Sequence, residues 1–110
     1  MKVHLIKKQT ILTFIEGKSN AKRPFENWIT IVRFAVWEKP IDIKKTFGTA
    51  DLLGNGSNRV VFNIGGNNYR MICKYHFGLN QVHLIVCWIG THNEYDELCI
   101  HGNQYNVNDY

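Results

Sequence analysis

The 110-residue chain is long enough for one domain with one hydrophobic core, and its 45% hydrophobic and 20% charged residues are typical of a globular protein. No apolar run approaches the roughly 18 residues that a membrane span needs, and the start of the chain lacks a secretory apolar core with a cleavage site, so we expect a cytoplasmic protein. A net charge of +4 weakly favours an anionic partner.

The first part of the chain predicts a short strand followed by two helices. Residues 3–6 are apolar and suit an opening strand, and residues 8–16 can form a helix that ends at Gly17. A second helix is predicted from about Ser19 until Pro40 disfavours its continuation. It is the strongest helix prediction, because apolar residues recur at helical spacing: Phe25, Trp28, Ile29, Val32, Ala35 and Val36.

The second half of the chain predicts a sheet. Residues 41–58 are expected to be an irregular connection, since glycine, asparagine and serine cluster towards its end. Residues 65–68 are rich in glycine and asparagine, as a tight hairpin turn with positive φ requires. A short helix is predicted from about His92, and the polar residues 101–110 should fray or lie on the surface. Three strand candidates are separated by short links: residues 59–64, 69–76 and 82–89.

Sequential strands with short links predict an antiparallel meander. The order of elements therefore predicts an α+β domain, with two N-terminal helices packed on an antiparallel sheet and a short C-terminal helix. The cysteines are odd in number and lack CxxC or zinc-finger spacing, so we expect reduced thiols and no metal site. They are Cys73, Cys87 and Cys99.

One face of the middle predicted strand is cationic. Because side chains alternate across a strand, Arg70, Lys74 and His76 share one face, and Arg59 lies on the preceding strand. Cations two residues apart on a strand face are ~7 Å apart, which is comparable with neighbouring phosphates in extended RNA. The same pattern is also typical of cations that only face solvent.

The stretch after the third strand carries a second set of candidate residues. Thr91 can cap a helix with Glu94 at the capping-box position, and His92 and Tyr95 then project from one side of that helix. Histidine can exchange protons near neutral pH, and tyrosine can donate a hydrogen bond or stack on a base. The alternative interpretation is that His92 only starts the helix and Tyr95 only packs.

Two stretches, F62-N-I-G-G-N-N-Y-R70 and T91-H-N-E-Y-D96, resemble the HigB-type toxins of bacterial toxin–antitoxin systems. These toxins belong to the wider RelE-like group of messenger-RNA endoribonucleases. The resemblance covers residues 1–98 and leaves residues 99–110 as a polar C-terminal tail. It implies a small α+β fold that holds RNA on the concave sheet face. It also implies metal-independent cleavage, without a cofactor, by attack of the 2′-hydroxyl on the adjacent phosphate.

The resemblance also implies roles for individual residues. Arg70 matches the arginine of the NxYR stretch, which implies that it stabilises transition-state charge. His92 and Tyr95 match the THxEYD stretch, which implies proton transfer and substrate positioning. Arg59 and Lys74 are candidates for holding RNA phosphates by their placement. The chain reproduces neither the dense lysine and arginine set of some relatives nor the acidic and histidine arrangement of others, so no residue is assigned as the general base.

The implied partners are messenger RNA, typically on the ribosome, and a HigA-type antitoxin with a helix-turn-helix domain. The chain shows no helix-turn-helix pattern, so contact with DNA is expected only through the antitoxin. No membrane partner is expected. Two other functions fit the same residues: a non-catalytic RNA- or ribosome-binding module, and a structural domain whose charges are merely solvated.

Overall fold

Two helices near the start of the chain lie against one face of a sheet, and a later helix lies against the other, in a computed structural model that describes all 110 residues. The strands are β1 (Lys2–Ile6), β2 (Asp51–Leu53), β3 (Arg59–Ile64), β4 (Tyr69–Phe77) and β5 (Gln81–Thr91). The helices are α1 (Lys8–Ile15), α2 (Ser19–Phe34), α3 (Ile41–Thr46) and α4 (His92–Ile100), followed by a 3-10 turn at Asn103–Tyr105. No helix is long and apolar enough to span a membrane.

The strands form one five-stranded sheet in the order β1-β5-β4-β3-β2. The predicted antiparallel meander of β3, β4 and β5 is confirmed. The prediction of an antiparallel sheet is wrong for β1, which runs parallel to β5, so the sheet is mixed. Parallel strands need a long crossover connection between them. The helical segment between β1 and the meander is part of such a connection, which permits the parallel arrangement.

The predicted irregular connection over residues 41–58 contains two regular elements, α3 and β2. Asp42 supports the start of α3, because its carboxylate accepts hydrogen bonds from the backbone N–H groups of Glu38 (2.9 Å) and Lys39 (3.2 Å). Ile43 anchors α3 in the core with no exposed surface. The prediction of irregular structure holds for the glycine- and asparagine-rich residues 54–58.

The main core lies between the sheet and the pair α1 and α2. The side chains of Tyr69, Met71 and Cys73 point into it from β4, as the predicted alternation requires. Trp28 of α2 packs against Phe62 of β3, with ring centroids 5.1 Å apart. The three cysteines are free thiols, as predicted.

A smaller apolar cluster lies on the opposite face, which we call the α4 face. Its buried residues are Val61, Ile72, Cys87 and Trp88, and α4 and the C-terminal tail pack over them. A β-bulge shapes this face, since Ile72 pairs with Trp88 while the next residue of β4 pairs with Val86. Cys87 is therefore an extra residue in β5, and both it and Trp88 face α4.

Candidate functional site

The cationic side chains of β3 and β4 lie on the α4 face. Arg70 and Lys74 flank the buried Ile72 on β4, and Arg59 alternates with Val61 on β3. Arg59 lies directly opposite Lys74 in the strand register. The prediction that Arg70 and Lys74 share one face of β4 is thus confirmed by the packing of their apolar neighbours, and the structure adds Arg59 to the same face.

Arg70 is held tightly at the end of the β3–β4 hairpin. Its guanidinium donates hydrogen bonds to the backbone carbonyl of Tyr69 (3.1 Å) and to the Oδ1 atom of Asn67 (3.3 Å). Only 7% of the residue is exposed. The turn that supplies Asn67 depends on Gly65 and Gly66, whose φ angles of 67° and 66° are accessible to glycine without strain. The hairpin therefore limits the orientations of the Arg70 side chain.

Tyr95 lies near Arg70, on the side of α4 that faces the sheet. Its ring packs against the indole of Trp88, with centroids 6.1 Å apart. Burial raises the pKa of the Tyr95 phenol, and the nearby Cys99 thiol and Asp51 carboxylate add to that rise, while the positive charge of Arg70 opposes it. The phenol is therefore protonated at neutral pH and can donate a hydrogen bond to an anionic ligand.

His92 is the first residue of α4 and lies at the same end of the sheet. The predicted capping box is confirmed: Glu94 N–H donates to Thr91 Oγ1 (3.2 Å), and Thr91 N–H donates to the Glu94 carboxylate (2.8 Å). His92 N–H donates to the carbonyl of Asn68 (3.2 Å), which ties α4 to the hairpin turn. The helix start and the Arg70 hairpin are thus joined by a direct backbone contact.

The imidazole of His92 faces solvent. Its side chain is 46% exposed, and its Nδ1 atom lies 3.8 Å from the carboxylate of Asp96, one helical turn further along α4. His92 is therefore accessible to a ligand and has an acidic neighbour.

Arg59 and Lys74 differ in their accessibility. Lys74 is exposed, whereas Arg59 is only 7% exposed. The guanidinium of Arg59 donates to the tail carbonyls of Gln104 (3.3 Å) and Val107 (2.6 Å). In this arrangement the C-terminal tail occupies the Nη1 donors of Arg59 and covers the residue.

The C-terminal tail lies on the surface, as expected, but it follows a defined path over the α4 face. From Arg59 it passes to β5, where Asp109 N–H donates to the carbonyl of Cys87 (2.9 Å). The tail then reaches the chain before α1, where Lys7 Nζ donates to the Tyr110 carbonyl. The sequence gives no local signal for this path, because each contact joins residues far apart in the chain.

The structure therefore divides the predicted residues into two groups. Arg70, His92 and Tyr95 lie at the hairpin end of the α4 face. Lys74 and Arg59 lie further along β4 and β3, since four residues of strand correspond to about 13 Å. Two neighbours that matter were missed by sequence reasoning: Asn67, which holds Arg70, and Trp88, whose orientation depends on the bulge. No group of three or more histidine, cysteine or acidic side chains is placed to hold a metal ion.

A family model described as HigB toxin, the RelE-like toxic component of a toxin–antitoxin system, matches residues 21–98. The match covers more than half of the chain and includes Arg70, His92 and Tyr95. It leaves out β1, α1 and the C-terminal tail. A comparison with curated proteins gave no match.

Proposed function

The chain belongs to the HigB family of RelE-like toxins, the toxic components of toxin–antitoxin systems, and we propose that it acts as a metal-independent endoribonuclease on messenger RNA. The observation that carries this proposal is the position of Arg70, Tyr95 and His92 at one end of the α4 face. A fixed guanidinium, a protonated phenol and an accessible imidazole are suitable groups for phosphodiester cleavage.

The proposed reaction starts with attack of the RNA 2′-hydroxyl on the adjacent phosphorus. The P–O bond to the 5′-oxygen of the next nucleotide then breaks, leaving a 2′,3′-cyclic phosphate and a 5′-hydroxyl. Negative charge accumulates on the phosphorane oxygens, and the Arg70 guanidinium stabilises it. Because Asn67 and the Tyr69 carbonyl already hold Arg70, little reorganisation is needed when that charge develops.

His92 and Tyr95 supply the proposed polar contacts to the reacting groups. His92 transfers a proton, and its imidazole lies 3.8 Å from the Asp96 carboxylate. Tyr95 positions the substrate by donating a hydrogen bond, since its raised pKa makes it a poor base at neutral pH. The residue that removes the proton of the 2′-hydroxyl is left unassigned.

The proposed phosphate contacts depend on the C-terminal tail. Lys74 is exposed and can meet a phosphate without rearrangement. Arg59 can do so only if the tail releases its guanidinium. We therefore assign Lys74 to the RNA contact as the structure stands and Arg59 to a state in which the tail has moved.

A toxin component implies an antitoxin partner. We propose that the antitoxin is of the HigA type, with a helix-turn-helix domain through which the complex binds DNA. The proposed site of action is the translating ribosome in the cytoplasm.

The decisive experiment maps RNA 5′ ends in a translation extract supplied with purified protein. Arg70→Ala should lower the cleavage rate about a hundredfold, equivalent to ~3 kcal/mol of lost transition-state stabilisation. His92→Ala should also lower it. Arg33→Ala is the matched control, because it removes the same charge from an exposed position on α2. Cleavage by Arg70→Ala and His92→Ala at the parent rate would show that the assigned site is wrong.

A non-catalytic RNA- or ribosome-binding module is the second candidate. It is favoured by the burial of Arg70, whose guanidinium already donates to two protein acceptors. Such a module would bind RNA with an affinity that falls steeply with salt and would leave the strands intact. The same extract experiment separates the two functions, because only the ribonuclease produces new 5′ ends.

A further inference from the structure

Three histidine side chains form a row across the part of the α4 face that is furthest from α4. His83 on β5 is paired with His4 on β1 and with His76 on β4. The ring centroids of His4 and His83 are 6.0 Å apart, and those of His76 and His83 are 5.9 Å apart in a stacked arrangement. The apolar neighbours of these histidines point into the opposite core, so all three rings stand on the α4 face.

A lysine flanks each end of this row, on the same strand as the outer histidine. Lys2 lies two residues before His4 on β1, and Lys74 lies two residues before His76 on β4, and both are exposed. We call these five residues the histidine–lysine strip. Three uncharged residues lie beside the strip on the same face: Ile6, Gln81 and Ile85. Arg59, which is opposite Lys74 on β3, is also charged, but its guanidinium is bound by the tail carbonyls.

One carboxylate lies near the strip. Glu38 lines a shallow cavity together with His76 and Lys39. It already forms an ion pair with the amino group of Met1. The strip therefore has two ammonium groups and three imidazoles, while its acidic neighbour is engaged elsewhere.

We propose that the histidine–lysine strip binds the sugar–phosphate backbone of single-stranded RNA beside the linkage that is cut. This inference rests on the proposed function. Ammonium and protonated imidazole groups neutralise phosphates, and imidazole planes can also stack on bases. The spacing of the histidine rings is of the order of one nucleotide step in an extended strand. A metal ion is a poorer choice of ligand, because the three imidazoles do not form a group that can hold one.

The distance from the strip to Arg70 sets the length of RNA that can reach both. His76 and Arg70 are both on β4, and the step of six positions along the strand from one to the other corresponds to about 20 Å. α4 and the tail cover Ile72 in between, so a strand that touches both places must pass over them. A trinucleotide is too short for this path, whereas an RNA of about 12 nucleotides can follow it.

The test measures binding of uncleavable 2′-O-methyl RNA by fluorescence anisotropy at about pH 6 and about pH 8. The long RNA, of about 12 nucleotides, should bind roughly tenfold more tightly at the lower pH, because protonated imidazoles add to the positive charge of the strip. The triple variant His4→Gln, His76→Gln, His83→Gln should lose this gain. His101→Gln, an exposed histidine outside the strip, is the matched control and should retain it. The trinucleotide should bind the parent, the triple variant and the His101→Gln control with the same affinity.

A second variant keeps the proposal testable if the triple substitution impairs folding. Lys2→Gln combined with Lys74→Gln should reduce the slope of log affinity against log salt by about 1.4, which corresponds to two phosphate contacts on a single strand. Unchanged pH and salt dependence in correctly folded variants would overturn the proposal. If the parent protein does not cut RNA but the strip variants lose binding of the long RNA, the strip is supported and the ribonuclease is rejected. If the parent protein cuts RNA and the strip variants bind the long RNA as the parent does, the ribonuclease is supported and the strip is rejected.

Discussion

Replacing Gly90 with alanine tests how closely β5, α4 and the candidate site are packed. Gly90 is opposite Arg70 in the register of β4 and β5. A Cβ atom at Gly90 would lie 2.5 Å from both Cζ2 and Cη2 of Trp88, and 3.1 Å from Oε1 of Glu94. Non-bonded carbon atoms normally approach to about 3.5–4.0 Å. The indole must therefore move by about 1 Å or more to accept the added methyl group.

The contacts around Trp88 set the loss in the free energy of unfolding that accompanies the movement of its indole. Trp88 is buried between the sheet and Tyr95, so its displacement disturbs the small apolar cluster at a typical overpacking cost of about 1–3 kcal/mol. Glu94 also accepts the hydrogen bond that closes the capping box of α4, so its movement adds to the loss. For a domain near this size, 1 kcal/mol corresponds to roughly 4 °C in Tm. We expect Gly90→Ala to lower Tm by about 4–12 °C.

Thermal unfolding, followed by tryptophan fluorescence, measures the fall in Tm, and denaturant unfolding measures the loss in the free energy of unfolding. Gly48→Ala is the matched control, because a Cβ atom there would meet nothing within 4 Å and its φ is not positive. The control should be neutral or more stable by up to ~1 kcal/mol, since alanine restricts the unfolded chain. Cleavage activity should fall in Gly90→Ala and remain in Gly48→Ala. Equal stability of the two variants would refute the packing described around Trp88.

Three further predictions concern the cap, the tail and the buried phenol. Thr91→Ala should lower the free energy of unfolding by about 1 kcal/mol, because α4 loses its side-chain cap, and an unchanged denaturation midpoint would contradict that role. Arg59→Met should release the C-terminal tail, which hydrogen exchange would detect as faster exchange at Asp109, and undiminished protection would count against the tail contacts. Above about pH 10 the unfolded chain loses the Tyr95 proton before the folded chain does, so the stability present at lower pH declines as pH rises. Tyr95→Phe should make that alkaline decline shallower in unfolding measurements, and superimposable profiles would refute the assignment.

The features that depend on local rules could be predicted from the amino-acid sequence. Alternation along β4 predicts that Met71 and Cys73 face the helices while Arg70 and Lys74 face the other way, and the packing agrees. Gly65 and Gly66 mark the hairpin turn because they lack the Cβ atom that would clash at positive φ. The Thr91 capping box and the apolar side of α2 were also readable, since both involve residues within a few positions of each other. The two short motifs that carried the family resemblance lie in these same local elements.

The features that depend on distant residues could not be predicted in this way and are visible only in the folded chain. The parallel pairing of β1 with β5 exists because a strand far along the chain satisfies the backbone groups of β1. The bulge at Cys87 reverses the side to which Trp88 points, although strict alternation places Trp88 with Val86. The tail carbonyls that bury Arg59 come from residues 45 and 48 positions away. No pattern within one strand or helix encodes such contacts, because their stability comes from surfaces that meet only after the chain has folded.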